Sequence, residues 1–403
     1  MSEYLCPYCY GKLIKKGFNE VGSQRYGCKN CGKRTVDPVT DGDLETITEN
    51  VRLSKKAQRH QDTNRIERKA FREHARIENA YTEYTKELIN VLKEQKFHVQ
   101  APTTYSYPDG ESFGIIQLSD LHFNELVQDL GNNEYSFEIA SKRLRRLADE
   151  SKRVFASGGI SNVLIACTGD FMNSDRRLDE LLSNATNRSK ATFLAVDILQ
   201  QFIRDIAVHF TVTVASVTGN EGRVDKEPGW NEAMATHNYD YTIHKTLALL
   251  FEDTPVNFMF GDPMEQVVEV GGLHILMLHG HSIAAKANMT DVITKIIGKW
   301  SAQGVKIDYV IFGHVHEASI GDIYSRSSSL VGANAYSEHG LHLISRASQN
   351  IFVIDALKNI NGYKIDLQNT GDVGYDIDAK LAEYNAKSSG KLKEQHVIFS
   401  ITI

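Results

Sequence analysis

Five short runs of apolar and β-branched residues, each followed at once by a potential metal ligand, constrain the fold of this 403-residue chain more than any other feature. The runs have strand length and are apolar throughout, as expected of strands buried on both faces of a sheet. They are residues 114–118, 163–167, 212–217, 274–278 and 309–312. Because α/β sheets present ligands at the carboxyl ends of their strands, the sequence predicts an α/β fold with its site there.

The residues that follow the runs are of the types that bind transition metals. The motifs are, in order, Asp120-Leu-His122, Gly169-Asp170, Gly219-Asn220, His279-Gly-His281 and Gly313-His314-Val-His316. Imidazole and carboxylate together suit Mn, Fe and Zn, and a shared carboxylate holds two ions about 3.5–4 Å apart. The sequence therefore predicts a dinuclear metal site with Asp170 as the bridge. Any single motif is weak, since Asp-x-His and Gly-Asp also occur in ordinary loops.

As a set, the motifs resemble those of the calcineurin-like metallophosphoesterase superfamily, which run D-x-H, G-D, G-N-H, H and G-H-x-H. The resemblance covers roughly residues 111–345. It implies a two-sheet αββα sandwich flanked by helices, and hydrolysis of a phosphoester by in-line attack of a metal-bridging hydroxide. It also implies the division of the ligands between the two ions. The first ion is held by Asp120, His122, Asp170 and His316, and the second by Asp170, Asn220, His279 and His314.

One position departs from the family pattern, because Glu221 stands where the family has a histidine, the usual general acid. Two neighbouring dications favour an ionised glutamate, so we predict that Glu221 holds no proton at neutral pH. Its role is then to orient Arg223 or a metal-bound water, or only to cap the loop. His281, and after it His237, are the candidate proton donors. The alternatives are that metal-bound water serves the leaving oxygen, or that His281 orients a ligand.

Two Cys-x-x-Cys pairs near the N-terminus, Cys6 with Cys9 and Cys28 with Cys31, are separated by eighteen residues. This spacing is typical of a zinc ribbon, in which one structural Zn²⁺ replaces a hydrophobic core; disulfides are the alternative. Residues 25–34 resemble the ribbons of transposases and other DNA-acting proteins. The module's basic and aromatic residues favour binding to nucleic acid, with protein docking as the alternative. These residues are Lys12, Lys15, Lys16, Arg25, Lys29, Lys33 and Arg34, with Tyr8, Tyr10, Phe18 and Tyr26.

Residues 43–96 contain neither glycine nor proline and alternate charges of both signs, which favours one or two long helices. A narrow heptad-like apolar stripe predicts packing on the catalytic domain or self-association into a homo-oligomer. Beyond the metal motifs, the runs 351–354, 363–367 and 397–403 are expected to complete the second sheet. We predict four segments: a zinc ribbon (1–40), a charged helical connector (41–100), the catalytic domain (101–370) and a C-terminal strand-containing segment (371–403).

Charge is distributed unevenly along the chain. The formal net charge is -6, yet residues 1–100 carry 19 Lys and Arg against 14 Asp and Glu, so a polyanion meets the N-terminal part first. Four arginines and lysines after Asp170 either line a path for phosphate or lie on a solvated helix face. They are Arg176, Arg177, Arg188 and Lys190.

The combined prediction is a manganese-dependent DNA nuclease similar to the SbcD-type branch of the superfamily and to phage-encoded exonucleases, with Mg²⁺, Fe or Zn as other metals. The alternatives are a phosphodiesterase or protein phosphatase on a smaller substrate, and a DNA-binding protein with a decayed site. The sequence has no apolar stretch near twenty residues and no charged-then-apolar leader. We therefore expect a soluble protein without a membrane partner, in the cytoplasm, or in the host cytoplasm if the protein is phage-encoded.

Overall fold

The structure is a computed structural model in which the chain divides into two compact units, residues 1–85 and 86–403. The described residues are 4–40, 46, 49–59, 61–62, 65, 72, 86, 89–90, 111–130, 133–225, 232–283, 288–334, 337, 345–377 and 381. Within them, no helix is both long enough and apolar enough to cross a bilayer.

The described residues of the first unit form five short strands and include few buried apolar side chains. Strands β2, β3 and β4 form an antiparallel sheet, and β1 pairs with β5. The strands are β1 (Tyr4–Leu5), β2 (Leu13–Phe18), β3 (Gln24–Cys28), β4 (Arg34–Thr35) and β5 (Val39–Thr40). Residues 49–59 of the connector are helical. Most of the predicted heptad stripe lies outside the described residues.

The second unit is built on two sheets, which confirms the predicted two-sheet α/β fold. The six-stranded sheet has the order β11-β10-β9-β6-β17-β18 and the five-stranded sheet the order β12-β13-β14-β16-β15, while β7 pairs with β8. The strands are β6 (Phe113–Leu118), β7 (Val127–Leu130), β8 (Asn133–Tyr135), β9 (Asn162–Cys167), β10 (Thr211–Ser216), β11 (Asn257–Met259), β12 (Glu265–Val270), β13 (Leu273–Leu278), β14 (Tyr309–Phe312), β15 (Ser319–Ile320), β16 (Tyr324–Arg326), β17 (Ser348–Ile354) and β18 (Ile360–Asp366). The five predicted runs correspond to β6, β9, β10, β13 and β14, each within one residue.

Six helices are described in this unit, and asparagine or serine side chains cap three of the longer ones. Ser136, Asn187 and Asn238 each accept a hydrogen bond from a backbone N–H of the first turn, as N-cap residues do. The helices are α1 (Phe137–Ser157), α2 (Leu178–Ser183), α3 (Arg188–Ala207), α4 (Glu232–Thr236), α5 (Tyr239–Leu250) and α6 (Met289–Ala302).

Apolar side chains divide the second unit into four layers. One cluster joins α1, α3 and α5 to the outer face of the six-stranded sheet, a second lies between the sheets, and a third joins α6 to the outer face of the five-stranded sheet. Strands β6, β9 and β10 run parallel to one another, as do β13 and β14. Their carboxyl ends therefore carry the residues of the five motifs.

The prediction for the later runs was partly wrong. Strand β17 pairs antiparallel with β6, and β18 pairs with β17, so both strands belong to the six-stranded sheet and not to the five-stranded sheet. The reason is the burial of β17: Ile351 belongs to the cluster under the helices, and Phe352 and Ile354 to the cluster between the sheets. A strand apolar on both faces needs a position covered on both sides. The run 397–403 lies outside the described residues.

Candidate metal centre

The metal-ligand candidates lie in sharp turns at the strand ends. Asp120, His122, Asp170, His314 and His316 all have φ between 43° and 70°. This left-handed region costs a residue with a Cβ of order 1–3 kcal/mol, so it persists only where surrounding contacts impose it. Five such residues, drawn from three motifs, mark these turns as a functional site.

Two glycines of the motifs are required by the close approach of neighbouring turns. A Cβ on Gly313 would collide with Ser119 and with the carboxylate of Asp120, and a Cβ on Gly219 would collide with Asp170. Glycine at these positions lets the turns after β14 and β10 pack directly against the carboxylates.

The first ligand group consists of Asp120, His122 and His316. The Nε2 atom of His316 lies 3.3 Å from Oδ1 of Asp120 and 3.0 Å from Nε2 of His122. The Asp120 carboxylate is fully buried and is held by the hydroxyl of Ser119 at 2.6 Å and by the backbone N–H of His314 at 3.0 Å. These contacts fix its orientation toward the two rings.

The second ligand group consists of Asp170, His279 and His314. Nε2 of His279 lies 2.9 Å from Oδ2 of Asp170 and 3.1 Å from the amide oxygen of Asn220. On the other side of the ring, Nδ1 lies 2.8 Å from the carbonyl oxygen of Thr168. The carbonyl can only accept a hydrogen bond, so Nδ1 carries the proton that it donates, and Nε2 is the nitrogen available to a metal ion.

The two groups concentrate opposite charges in a buried space. Burial raises the pKa of Asp170, but His279 outweighs it and holds that pKa well below its ordinary value. Burial lowers the pKa of His279, but Asp170 outweighs it and raises that pKa to about 10. His316 and Asp120 show the same reciprocal shifts, upward and downward. Both buried carboxylates are therefore ionised and attract cations.

The residues present fit two divalent ions. In each group one donor atom per residue lies within 4.8 Å of the others. The 3.0 Å separation of the His122 and His316 ring nitrogens brings two lone pairs together unless a proton or cation lies between them. Mixed nitrogen and oxygen donors suit Mn, Fe and Zn. All seven predicted ligands thus lie at one edge, with Asn220 beside the second group.

A carboxylate that the sequence did not single out holds two of the turns together. Asp240, at the start of α5, is fully buried and accepts hydrogen bonds from the backbone N–H groups of Asp170 at 2.8 Å, Phe171 at 3.0 Å and Gly219 at 2.9 Å. Burial and the charge of Asp170 raise the pKa of Asp240 to about 6. The only sequence signal was an acid in the first turn of a helix after a capping asparagine.

A buried amide performs the same task for the first group. Gln349 on β17 accepts a hydrogen bond from the backbone N–H of Ser119 at 2.8 Å and donates to the carbonyl oxygens of Ser119 and Ser328. The hydroxyl of Ser328 in turn donates to the carbonyl of His316 at 2.7 Å. Gln349 therefore links the turns that carry Asp120 and His316, and no motif marks it.

A cavity of about 680 Å³ adjoins both ligand groups. Five candidate ligands line it, together with three arginines and three glutamates. The lining residues are His122, Asp170, Asn220, His314 and His316, Arg176, Arg177 and Arg223, Glu125, Glu180 and Glu221, and Leu126, Val127, Gln128, Asn173, Ser183 and Asn334. The volume accommodates a small phosphoester or one end of a longer chain.

Glu221 lies on the cavity wall between Asn220 and Arg176. Its carboxylate accepts hydrogen bonds from the amide of Asn220 and from Nη2 of Arg176, the latter at 3.1 Å, and its backbone N–H donates to Oδ1 of Asp170 at 2.7 Å. Burial and the charge of Asp170 raise its pKa, whereas the prediction of an ionised Glu221 concerns the site with two dications bound and stays a prediction. Arg223 also lines the cavity, and its Nε donates to the carbonyl of Asp225 at 3.2 Å.

Neither histidine proposed as the proton donor is among the described residues that line the cavity. The ring of His281 lies 5.7 Å from that of His279 and 6.4 Å from that of His314. Burial and the charge of His279 lower the pKa of His281 to about 4, so the ring is neutral at pH 7. Nδ1 of His237 lies 2.7 Å from a carboxylate oxygen of Asp225. The role of His281 stays a prediction.

Arg188 fits neither alternative for the basic residues after Asp170, which were a path for phosphate and a solvated helix face. Its side chain is buried, and its three nitrogens donate to the backbone carbonyls of Asn173, Arg223 and Glu221. It braces the turn that carries Glu221. The reason is its position in the first turn of α3, which faces that turn, whereas Lys190 is half-buried.

The four N-terminal cysteines form a separate cluster. The Sγ atoms of Cys6 and Cys31 are 3.7 Å apart and those of Cys9 and Cys28 3.4 Å apart, too far for a disulfide of about 2.05 Å. A tetrahedral Zn²⁺ with Zn–S of about 2.3 Å places sulfurs about 3.8 Å apart. A backbone N–H, that of Asn30, also donates to Cys28 Sγ at 3.3 Å. The cluster fits one Zn²⁺.

The surface of the first unit presents most of the residues expected to contact nucleic acid. Tyr8, Tyr10 and Phe18 are exposed, as are all the basic residues named above except the half-buried Arg25. Tyr26 was wrongly counted among the stacking residues, because it is buried with its ring 5.1 Å from that of Tyr4.

No family model matches this sequence, and no curated protein matches it. Solved structures give weak matches. Vps29 complexed with zinc from Entamoeba histolytica is 12% identical, covers 63% of this chain and 99% of its own, and has a TM-score of 0.27. An uncharacterised protein described as a predicted phosphoesterase, from Streptococcus pneumoniae, is 11% identical, covers 64% of this chain and 99% of its own, and has a TM-score of 0.26. Sulfate thiohydrolase SoxB from Thermus thermophilus is 14% identical, covers 70% of this chain and 62% of its own, and has a TM-score of 0.33. At such scores the matches carry no argument about activity.

Proposed function

We propose that this chain is a metal-dependent phosphoester hydrolase of the calcineurin-like metallophosphoesterase type, acting on DNA. The observation that carries the hydrolase proposal is the pair of ligand groups, each with three donor atoms within 4.8 Å, beside a 680 Å³ cavity. The order of the five motifs supports the family.

Two divalent ions bound there supply Lewis-acid activation of the phosphoester and lower the pKa of a water molecule. The buried Asp120 and Asp170 would hold the ions, and the Thr168 carbonyl, which accepts from Nδ1 of His279, leaves Nε2 of that ring facing Asp170. Asp240 and Gln349 keep the turns at fixed separations, which a reaction that depends on positioning requires. Glu221 orients the amide of Asn220 at the second group.

DNA is the substrate that the basic N-terminal unit favours. Exposed lysines interleaved with exposed Tyr8, Tyr10 and Phe18 are suited to phosphates and bases of a nucleic acid. A structural Zn²⁺ bound by the cysteine cluster would stabilise that surface. The SbcD-type branch and Mn²⁺ as the native metal are part of this proposal. So are the DNA partner, a location in the cytoplasm and self-association through the connector.

The test is the digestion of end-labelled linear and circular DNA with Mn²⁺ and with Mg²⁺, beside nucleotides and phosphopeptides at equal concentration. We expect DNA products with Mn²⁺, and release of nucleotides from linear but not circular DNA identifies an exonuclease. Hydrolysis of nucleotides or phosphopeptides with intact DNA supports the smaller-substrate alternative. No hydrolysis of any substrate, with metal bound, supports a DNA-binding protein.

Variants separate chemistry from folding. Asp170→Ala and His279→Ala are expected to abolish hydrolysis and to leave fewer than two Mn²⁺ per second unit. Thermal unfolding of both variants is expected to remain cooperative, which shows that they are folded. His209→Ala, at an exposed position before β10, is the matched control and keeps full activity. A folded Asp170→Ala protein with full activity would contradict the assignment of the metal centre.

A further inference from the structure

Arg176 is a nearly buried guanidinium on the cavity wall. Only 12% of its side chain is exposed. Its Nε donates to the hydroxyl of Ser174 at 2.9 Å and its Nη2 to Oε2 of Glu221 at 3.1 Å. The third nitrogen, Nη1, is buried and has no hydrogen-bond partner among the described residues. A buried donor without an acceptor is costly, and a charged one especially so.

The turn before α2 holds Arg176 in this position. The carboxylate of Glu180 accepts hydrogen bonds from the backbone N–H groups of Arg176 at 3.2 Å and Arg177 at 3.1 Å. The same carboxylate pairs with the side chain of Arg177 at 2.6 Å, and that side chain is 61% exposed. Of these two neighbouring arginines, one is therefore kept inside and the other is held at the surface.

Glu221 connects Arg176 to the metal centre. One oxygen of its carboxylate accepts from Arg176, the other accepts from Asn220, and its backbone N–H donates to Asp170. The Glu221 carboxylate thus links the guanidinium to Asn220, a candidate metal ligand in the same cavity. A guanidinium matches the geometry of phosphate oxygens and keeps its charge at any physiological pH.

We propose that Arg176, held by Glu221, binds a non-bridging oxygen of the substrate phosphate at the metal centre. The identity of the ligand as a phosphoester rests on the proposed function. The contribution of Arg176 is to stabilise negative charge on the phosphate. Glu221, which accepts this hydrogen bond from Arg176, stands where the family pattern has a histidine.

The test is calorimetric titration of inorganic phosphate into the full-length protein loaded with Mn²⁺, which requires no turnover. Arg176→Ala is expected to weaken phosphate binding by about tenfold to a hundredfold, the range for a charge-assisted hydrogen bond, and Arg176→Lys is expected to recover part of the loss. Arg153→Ala is the matched control and is expected to stay within about twofold, because this arginine on α1 is 74% exposed and is not among the cavity-lining residues. Manganese stoichiometry is measured on each protein. If Arg176→Ala does not fold, Arg176→Gln carries the same comparison.

Wild-type affinity in Arg176→Ala, or an equal loss in Arg153→Ala, overturns the proposal. The outcome is separable from that of the proposed function. If the wild-type protein leaves DNA intact but Arg176→Ala binds phosphate weakly, the phosphate site stands and DNA as the substrate fails. If the wild-type protein cleaves DNA and Arg176→Ala keeps its phosphate affinity, the enzyme stands and the role of Arg176 fails.

Discussion

Replacing Asp240 tests whether one buried carboxylate sets the spacing of the metal ligands. Its Oδ2 accepts from the N–H groups of Asp170 and Gly219, and its Oδ1 accepts from that of Phe171. In Asp240→Asn the amide oxygen can keep the two bonds on one side, while the new NH₂ group faces the N–H of Phe171. In Asp240→Ala all three buried donors lose their acceptor.

The size of the effect follows from these contacts. A hydrogen bond to a charged group contributes about 1.5–3 kcal/mol, so Asp240→Asn is expected to lower the free energy of unfolding by roughly that amount. Asp240→Ala is expected to lower it by at least about 4 kcal/mol, which approaches the whole stability of many domains. The asparagine variant is therefore the informative one. Because the turn of Asp170 moves, Mn²⁺ affinity is expected to fall about 10- to 100-fold.

The assay is urea unfolding of the metal-free protein followed by tryptophan fluorescence. Neither tryptophan of the sequence falls within residues 1–85, and Trp300 lies on α6, so the signal reports the second unit. Asp355→Asn is the matched control, because Asp355 also accepts from backbone N–H groups, those of Leu357 and Asn359, but in an exposed turn. Its midpoint is expected to match the wild type. An Asp240→Asn protein with wild-type stability and wild-type Mn²⁺ affinity refutes the reasoning.

Two further predictions concern protons and the N-terminal surface. Mn²⁺ affinity is expected to rise from about pH 6 to about pH 8, because His279, with its pKa raised to about 10, must lose a proton before it binds an ion. Calorimetry in buffers of different ionisation enthalpy measures the released protons. A Mn²⁺ affinity that does not change with pH contradicts this prediction. Phe18→Ala is expected to weaken DNA binding without changing its salt dependence, whereas Lys16→Ala flattens the salt dependence. Binding titrations at several salt concentrations check both, and unchanged affinity in both variants, with zinc content constant, supports a protein-docking surface instead.

Sequence patterns determined the strands and the candidate ligands, because both are local. An apolar run of strand length has few alternatives to a buried strand, and a motif directly after it is carried to the strand's carboxyl end whatever the rest of the chain does. This is why β6, β9, β10, β13 and β14 were located within one residue and why the two ligand groups were nameable in advance. The cysteine cluster was equally local, since its two pairs state their own spacing.

The tertiary structure alone decided which distant residues meet these turns. Asp240 lies seventy residues after Asp170, and Gln349 lies 230 residues after Ser119, so no local pattern connects either pair. The same holds for the burial of Arg188, the place of β17 beside β6 and the contact between Glu221 and Arg176. Side-chain charge and hydrogen-bonding capacity are written in the sequence, but the pKa shifts and the unpartnered Nη1 of Arg176 depend on packing. They arise only when chain segments far apart in sequence exclude water from the same small volume.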